Sequence, residues 1–311
     1  MAIKSIAALI TCFNRRQHTL TALTTLFQQK GIQDIHLKVF LVDDGCTDGT
    51  GEAVRSGFPQ VSVLKGNGSL FWDGGMRMAY DAAMKEGFDA YLLFNDDTKL
   101  YDDALIRLVN CADAQLAKGQ PTIITGTTIT PGTTVPSYGG KNWRVRGLAK
   151  HLLIVAPDPE RAIFCDTMNG NFVLVPKEIT RVLGNLEKGF TQQFGDFDYG
   201  LRAQRAGFKV AIAPGFSGEC RDNPTTGTFR DPAQPFSRRW KSLMSPKGTP
   251  LPDWWIFTTR HFGWRWPLYF ASPYLKTLTL GILPQRLKTR IFWGQVEPTS
   301  AQPLCNPERE Q

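Results

Sequence analysis

The chain is poor in the residues that staple small domains together. It has four histidines and six cysteines among 311 residues, and they are scattered. No C-x-x-C pair occurs among Cys12, Cys46, Cys111, Cys165, Cys220 and Cys305, and His18, His36, His151 and His261 show no pairing pattern. That spread argues against a zinc site and against a disulfide framework, and the default is a cytoplasmic protein with reduced thiols. No run of 18 apolar residues is present, which disfavours a spanning helix. The apolar N-terminus is broken by Lys4 and continues into Thr11-Cys12-Phe13-Asn14-Arg15-Arg16, so it reads as a first buried strand rather than a signal sequence. There is no internal repeat and no low-complexity tract.

Acid is almost missing from one region. Residues 236–295 hold ten Lys or Arg against a single acid, Asp253, in a chain whose net charge is +8. The remainder is close to neutral. Tryptophan is scarce outside the same stretch: only Trp72 and Trp143, of eight, lie elsewhere.

What is present is an ordinary globular composition, 42% hydrophobic and 21% charged, long enough for one large α/β domain or two smaller units. Apolar runs at 6–11, 35–42, 61–64, 90–94 and 121–128 read as strands. They alternate with helical patterns at 15–29, 52–56, 76–86 and 102–118. Residues 126–150, rich in Thr, Gly and Pro, suggest hairpins or a mobile loop. A strand pair is expected over 164–176, an acid-capped helix over 196–206 and a returning strand at 208–213. This alternation predicts an α/β fold with a mostly parallel, Rossmann-like sheet and helices on both faces. Ligands of such sheets bind beyond the C-terminal strand ends. Thr11, Asn14, Asp43, Asp44, Asp96 and Asp97 all fall there, so one shared cleft is expected.

Three acidic clusters mark that cleft. Asn95-Asp96-Asp97 follows a buried strand, where adjacent carboxylates repel unless a divalent cation sits between them and an anionic ligand. A turn or helix cap is the plainer reading of the same residues. Asp43-Asp44-Gly45, with Thr47-Asp48-Gly49 behind it, suits hydrogen bonds from a base or ribose, or an ordinary Asp/Gly turn. Asp196 and Asp198 open a helix, where the dipole favours negative charge. Asp196 is the better placed to face the cleft and take a proton, whereas Asp198 serves equally well as a cap.

Taken in order, Thr11-Cys12-Phe13-Asn14-Arg15, Val42-Asp43-Asp44-Gly45-Cys46-Thr47-Asp48-Gly49-Thr50, Asn95-Asp96-Asp97-Thr98, Asn169-Gly170 and Gly195-Asp196-Phe197-Asp198-Tyr199-Gly200-Leu201-Arg202 resemble family 2 glycosyltransferases of the GT-A fold. The resemblance spans roughly residues 3–215. Gly66-Asn67-Gly68-Ser69-Leu70-Phe71-Trp72-Asp73-Gly74-Gly75-Met76 is similar to the bacterial rhamnosyltransferase-like branch, which builds cell-surface polysaccharides.

The resemblance implies a nucleotide-sugar half over 1–125, an acceptor and catalytic-base half over 126–220, and a C-terminal basic and aromatic helical extension over 221–311. It implies donor contacts from Thr11, Asn14, Arg15, Asp43 and Asp44, with Asp96 on the ribose or metal shell. Asp97 would ligate Mg²⁺ or Mn²⁺, and Asp196 would be the base of an inverting transfer from a nucleoside-diphosphate sugar to a glycan or lipid-linked acceptor. Asp198 and Arg202 are possible support, Arg202 on the diphosphate or simply on an exposed helix face. Trp72 reads as a stacking platform or as core. Two departures stand out: the metal motif is Asn-Asp-Asp in place of Asp-x-Asp, and Gly195 stands where many relatives carry Glu. The second keeps open a catalytically silent nucleotide-sugar-binding protein. A sugar-nucleotide-forming enzyme is set aside, because Thr11 to Arg15 contains no Gly for a phosphate loop.

The tail mixes tryptophans with cations and is broken by Pro267, Pro273 and Pro284. Amphipathic segments of that kind suit the cytosolic surface of the inner membrane, a peripheral location consistent with a lipid-linked acceptor. Packing on the catalytic domain or on a second subunit is the other reading. No nucleic-acid fold signature accompanies the basic charge, so nucleic acid is not an expected partner.

Overall fold

The computed structural model describes residues 2–282. In chain order the elements begin β1 (Ser5–Cys12), α1 (Arg16–Phe27), β2 (His36–Asp43), α2 (Thr50–Gly57), β3 (Val61–Lys65), α3 (Phe71–Glu86) and β4 (Ala90–Phe94). They continue with β5 (Lys99–Leu100), α4 (Ala104–Leu116), β6 (Thr122–Ile129), β7 (Pro136–Tyr138), β8 (Gly140–Arg146) and β9 (Ala149–Ile154). Next are β10 (Ile163–Cys165), β11 (Thr167–Met168), β12 (Phe172–Pro176), α5 (Lys177–Leu183), α6 (Gly195–Arg205) and β13 (Lys209–Glu219). Three helices finish the described chain: α7 (Phe236–Leu243), α8 (Leu251–His261) and α9 (Trp266–Ile282).

The central sheet runs β10-β13-β6-β12-β4-β1-β2-β3. β4, β1, β2 and β3 are mutually parallel, as are β13 and β6. β12 enters antiparallel between β4 and β6 and closes the two halves into one sheet. Residues 164–176 therefore do not form a strand pair. Their strands go to separate places: β10 to the far edge on β13, β11 to the small sheet β11-β8-β9, and β12 to the centre. Hydrophobicity alone carries no information on which partner a buried strand takes.

Alternation along each strand sorts the core into two layers. Ile6, Ala8 and Ile10 of β1 face Leu23 of α1, Val54 of α2 and Leu105 of α4. Ala7 and Leu9 face Met76 and Tyr80 of α3, Ile179 of α5 and Tyr199 of α6. β4 is buried at every position, as expected of a strand covered on both faces. Gly87 ends α3 with a positive φ of 81°, a conformation that costs glycine no Cβ clash. The Thr/Gly/Pro-rich region resolves into β7 on β6 and the β8–β9 hairpin.

The aromatic extension is partly core. Phe257, Phe262 and Trp254 pack with Phe190, Leu201, Trp143 and Leu152 in a third cluster under α8. Among the described residues no helix is long and apolar enough to cross a membrane. Pro284, Arg286, Lys288, Arg290 and Trp293, part of the basic and aromatic tail, lie outside the described residues.

Candidate active site

The first two strands deliver the nucleotide-side loops. Asn14 follows β1 in a left-handed conformation, φ 51°, and its Oδ1 accepts the Thr47 N–H at 2.7 Å, which stitches the β1 and β2 loops together. Asp43 ends β2 and accepts the Cys46 N–H at 2.9 Å. Thr11 is buried against α3, where a Cβ at Gly75 would overlap its Oγ1. Asp44 is fully engaged: its carboxylate accepts N–H donors from Gly68 (2.8 Å), Leu70 (2.9 Å) and Phe71 (3.1 Å). In this structure Asp44 anchors the loop that delivers Trp72, with Oδ2 taking two of the N–H groups and Oδ1 one.

Cys12, Asp43 and Cys46 form the one group of three metal-capable side chains among the described residues, with ligand atoms within 4.8 Å. Burial pushes both thiols up, so they keep their protons at neutral pH, with the sulfurs 3.9 Å apart. The group packs as part of the β1–β2 edge.

Asp96 and Asp97 stand in the turn after β4. Arg15 Nη1 lies 2.6 Å from Asp97 Oδ2 and 3.4 Å from Asp96 Oδ1. Burial pushes the Asp96 carboxyl up to about 7, further than Arg15 pulls it down, and the adjacent Asp97 charge adds to the rise. Two carboxylates converging on one positive group supply the hard oxygen donors that Mg²⁺ or Mn²⁺ takes, so the residues present fit such an ion.

Asp196 sits in the first turn of α6. Its Oδ2 accepts the Gly170 N–H at 2.8 Å and its Oδ1 accepts its neighbour Phe197 N–H at 2.7 Å. Burial raises its pKa against the pull of those amides and of Lys141. Gly170 also seats Trp72: a Cβ there would come 2.5 Å from the indole ring and 3.3 Å from Asp196 Cβ. The indole N–H donates to Asn95 Oδ1 at 2.7 Å.

Trp72 therefore connects all three acidic clusters. Its preceding residues hang on Asp44, its N–H on the Asn95-Asp96-Asp97 turn, and its ring lies on Gly170 beside Asp196. Among the described residues the three non-glycine residues with positive φ, Asn14, Phe71 and Phe194, each lead directly into this ring of side chains. Strained backbone concentrates at functional sites.

Two expected residues lie elsewhere, which corrects the expectation that they support the cleft. Asp198 points to the opposite side of α6 and is fully buried. It binds Arg202 Nε, Arg260 Nη1 and His261 Nε2, each at 2.8 Å. Arg202 is spent on Asp198 and on the carbonyls of Leu183 and Asn185, which keeps it from any diphosphate. An acid at i and an Arg at i+4 pair along one helix face, so the spacing favoured this outcome.

Asn95, read from the sequence as part of the acidic cluster, orients Trp72. Two other residues of the site carried no local signal: Lys141 of β8, whose charge acts on Asp196, and Cys220 after β13, whose Sγ lies 3.4 Å from Asp97 Oδ1. Only the sheet order brings these strands together.

A mixed sheet of this order, with its acidic cleft past the strand ends, is that of the GT-A fold. Residues 4–239 match the family model described as "Glycosyltransferase like family 2", and the chain belongs to glycosyltransferase family 2. The crystal structure of S. aureus TarS 1–349 is similar in fold, with a TM-score of 0.50 and 12% identity. The match covers 70% of this chain and 60% of that one. No curated protein matches the chain.

Proposed function

We propose that the protein is an inverting glycosyltransferase. It moves a sugar from a nucleoside diphosphate, dTDP-rhamnose or a UDP-sugar, to a hydroxyl of a cell-surface polysaccharide or lipid-linked glycan precursor. The observation that carries this reading is the convergence of the three acidic clusters on Trp72, with Asp196 beside its ring across Gly170 and the Asn95-Asp96-Asp97 turn, paired with Arg15, on its indole N–H.

Asp196 is the general base. Each of its oxygens already accepts one N–H and keeps a lone pair for the acceptor hydroxyl, whose proton it takes as that oxygen attacks the anomeric carbon. Arg15 turns from Asp96 and Asp97 to the diphosphate. Asp97, with Asp96, would hold Mg²⁺ or Mn²⁺, which supplies Lewis-acid neutralisation of the leaving diphosphate. Trp72 offers its face to the sugar or base and closes the cleft to water. The loops of Thr11, Asn14 and Asp43 receive the nucleoside.

The reading extends to location. Trp264, Leu268 and Leu275 are more than half exposed, and Arg265 and Lys276 stand beside them. A tryptophan and leucine face with cations at its border suits a peripheral contact with an anionic membrane.

The test is nucleoside diphosphate release from a panel of dTDP- and UDP-sugars with Mn²⁺ or Mg²⁺. Asp196→Asn should lower turnover by about 10²–10⁴-fold while the protein stays folded. Asp97→Ala should abolish the metal dependence. Nucleotide binding without release from any donor would favour the silent binding protein.

A further inference from the structure

Asp73 is a carboxyl group of the site without a partner. It follows Trp72 in the first turn of α3, it is fully buried, and neither of its side-chain oxygens has a hydrogen bond. It is the one acidic residue among the described ones with both oxygens orphaned. Its Oδ1 lies where a Cβ on Gly195 would stand, at the start of α6 and one residue from Asp196. Position 195 is glycine because a carboxyl group from another helix fills its place.

The surroundings decide the charge of that group. Facing it are three acids, Asp196 and Asp198 on α6 and Asp253 on α8, and a single cation, Arg77. Arg77 Nη1 is committed to the carbonyls of Glu187 at 2.9 Å and Phe190 at 2.8 Å. An ionised, unpaired carboxylate in such a pocket carries a heavy desolvation cost. Burial first, and Asp196 next, raise the proton affinity of Asp73 far above the ordinary range. Burial raises Asp196 as well, but two amide N–H groups and the charge of Lys141 pull it back toward its anion, a compensation Asp73 lacks.

We propose that Asp73 and Asp196 form an electrostatically coupled pair, in which Asp73 stays a neutral acid beside the Asp196 anion. Asp73 touches no substrate. It acts through its neighbour, holding the α6 terminus free of a second negative charge while Asp196 accepts the acceptor's proton. Coupling of this kind is reciprocal, so each group reports the charge of the other. The inference rests on Asp196 being the base, but its test needs no turnover.

The experiment is a titration of [γ-¹³C]aspartate-labelled full-length protein from pH 4 to 10, followed by carbon chemical shift. Asp73 should hold its proton through pH 7, and the Asp196 resonance should move in two steps, the second coinciding with ionisation of Asp73. In Asp196→Asn the Asp73 midpoint should fall by a full pH unit or more, because the facing charge is gone. In Asp73→Asn, Asp196 should titrate in one step. A single-step Asp196 curve in the unaltered protein, or an Asp73 midpoint unmoved by Asp196→Asn, overturns the pair and leaves Asp73 a merely structural acid. Failure of every sugar donor to turn over would instead count against Asp196 as base, without touching the titration.

Discussion

Gly170 shows how tightly single residues set the site. Trp72 and Asp196 meet across it, and a methyl group there would come 2.5 Å from the indole. Gly170→Ala should therefore displace the ring, costing about 1–3 kcal/mol as overpacking and lowering kcat more than the stability loss explains. Urea unfolding and steady-state kinetics on the same sample check this; unchanged values on both would mean the ring moves freely. Legibility at this scale follows backbone position. Arg15, Asp96 and Asp97 were legible as neighbours because they follow β1 and β4, which are adjacent and parallel, and Asp196 as an acid opening α6. Asp73 was not, because its meaning depends on Gly195, more than a hundred residues away. Three backbone donors on the Asp44 carboxylate tie the loop before Trp72 to β2, a link that residue type alone does not reveal.

At the scale of elements, α6 has two sides with separate duties. One terminus presents Asp196, while Asp198 on its back faces Arg202, Arg260 and His261. Burial alone would raise the Asp198 carboxyl, but His261, Arg202 and Arg260 together pull it below its ordinary value. Asp198→Asn should cost roughly 3–5 kcal/mol, because it strands buried cations, as read by denaturant unfolding. The pH dependence has a definite sign. Burial pushes the His261 imidazole below its ordinary value, so the unfolded chain binds that proton more readily. The His261 contribution to stability should fall as pH drops through about 6.5, against the opposite contribution of Asp96, whose folded carboxyl takes up its proton near 7, whereas the Asp198 contribution persists until carboxylates titrate. The melting-temperature difference between the protein and His261→Gln, followed from pH 7.5 to 5.5, isolates it, a pH-independent difference being the contrary result. The helices and parallel strands of the first 130 residues were legible because period and run length fix each element alone. β10, β11 and β12 were not, since their partners are four different strands, β13, β8, β4 and β6.

For the whole molecule, the aromatics in the described part of the tail divide between two surfaces. Trp254, Phe257 and Phe262 look inward, whereas Trp264, Leu268 and Leu275 look outward with Lys276. Anionic vesicles should sediment the protein and neutral ones should not, with the interaction weakening as salt screens it. Trp264→Ser with Leu268→Gln should reduce sedimentation without lowering the melting temperature, and equal sedimentation would discard the membrane contact. The anchoring of α8 on Asp198 has a practical consequence. A chain trimmed ahead of Leu251 to leave only the sheet would expose the Phe190 and Leu201 patch and deprive a deeply enclosed anion of Arg260 and His261. Grafting this catalytic unit onto another carrier thus means transplanting its last helices along with it.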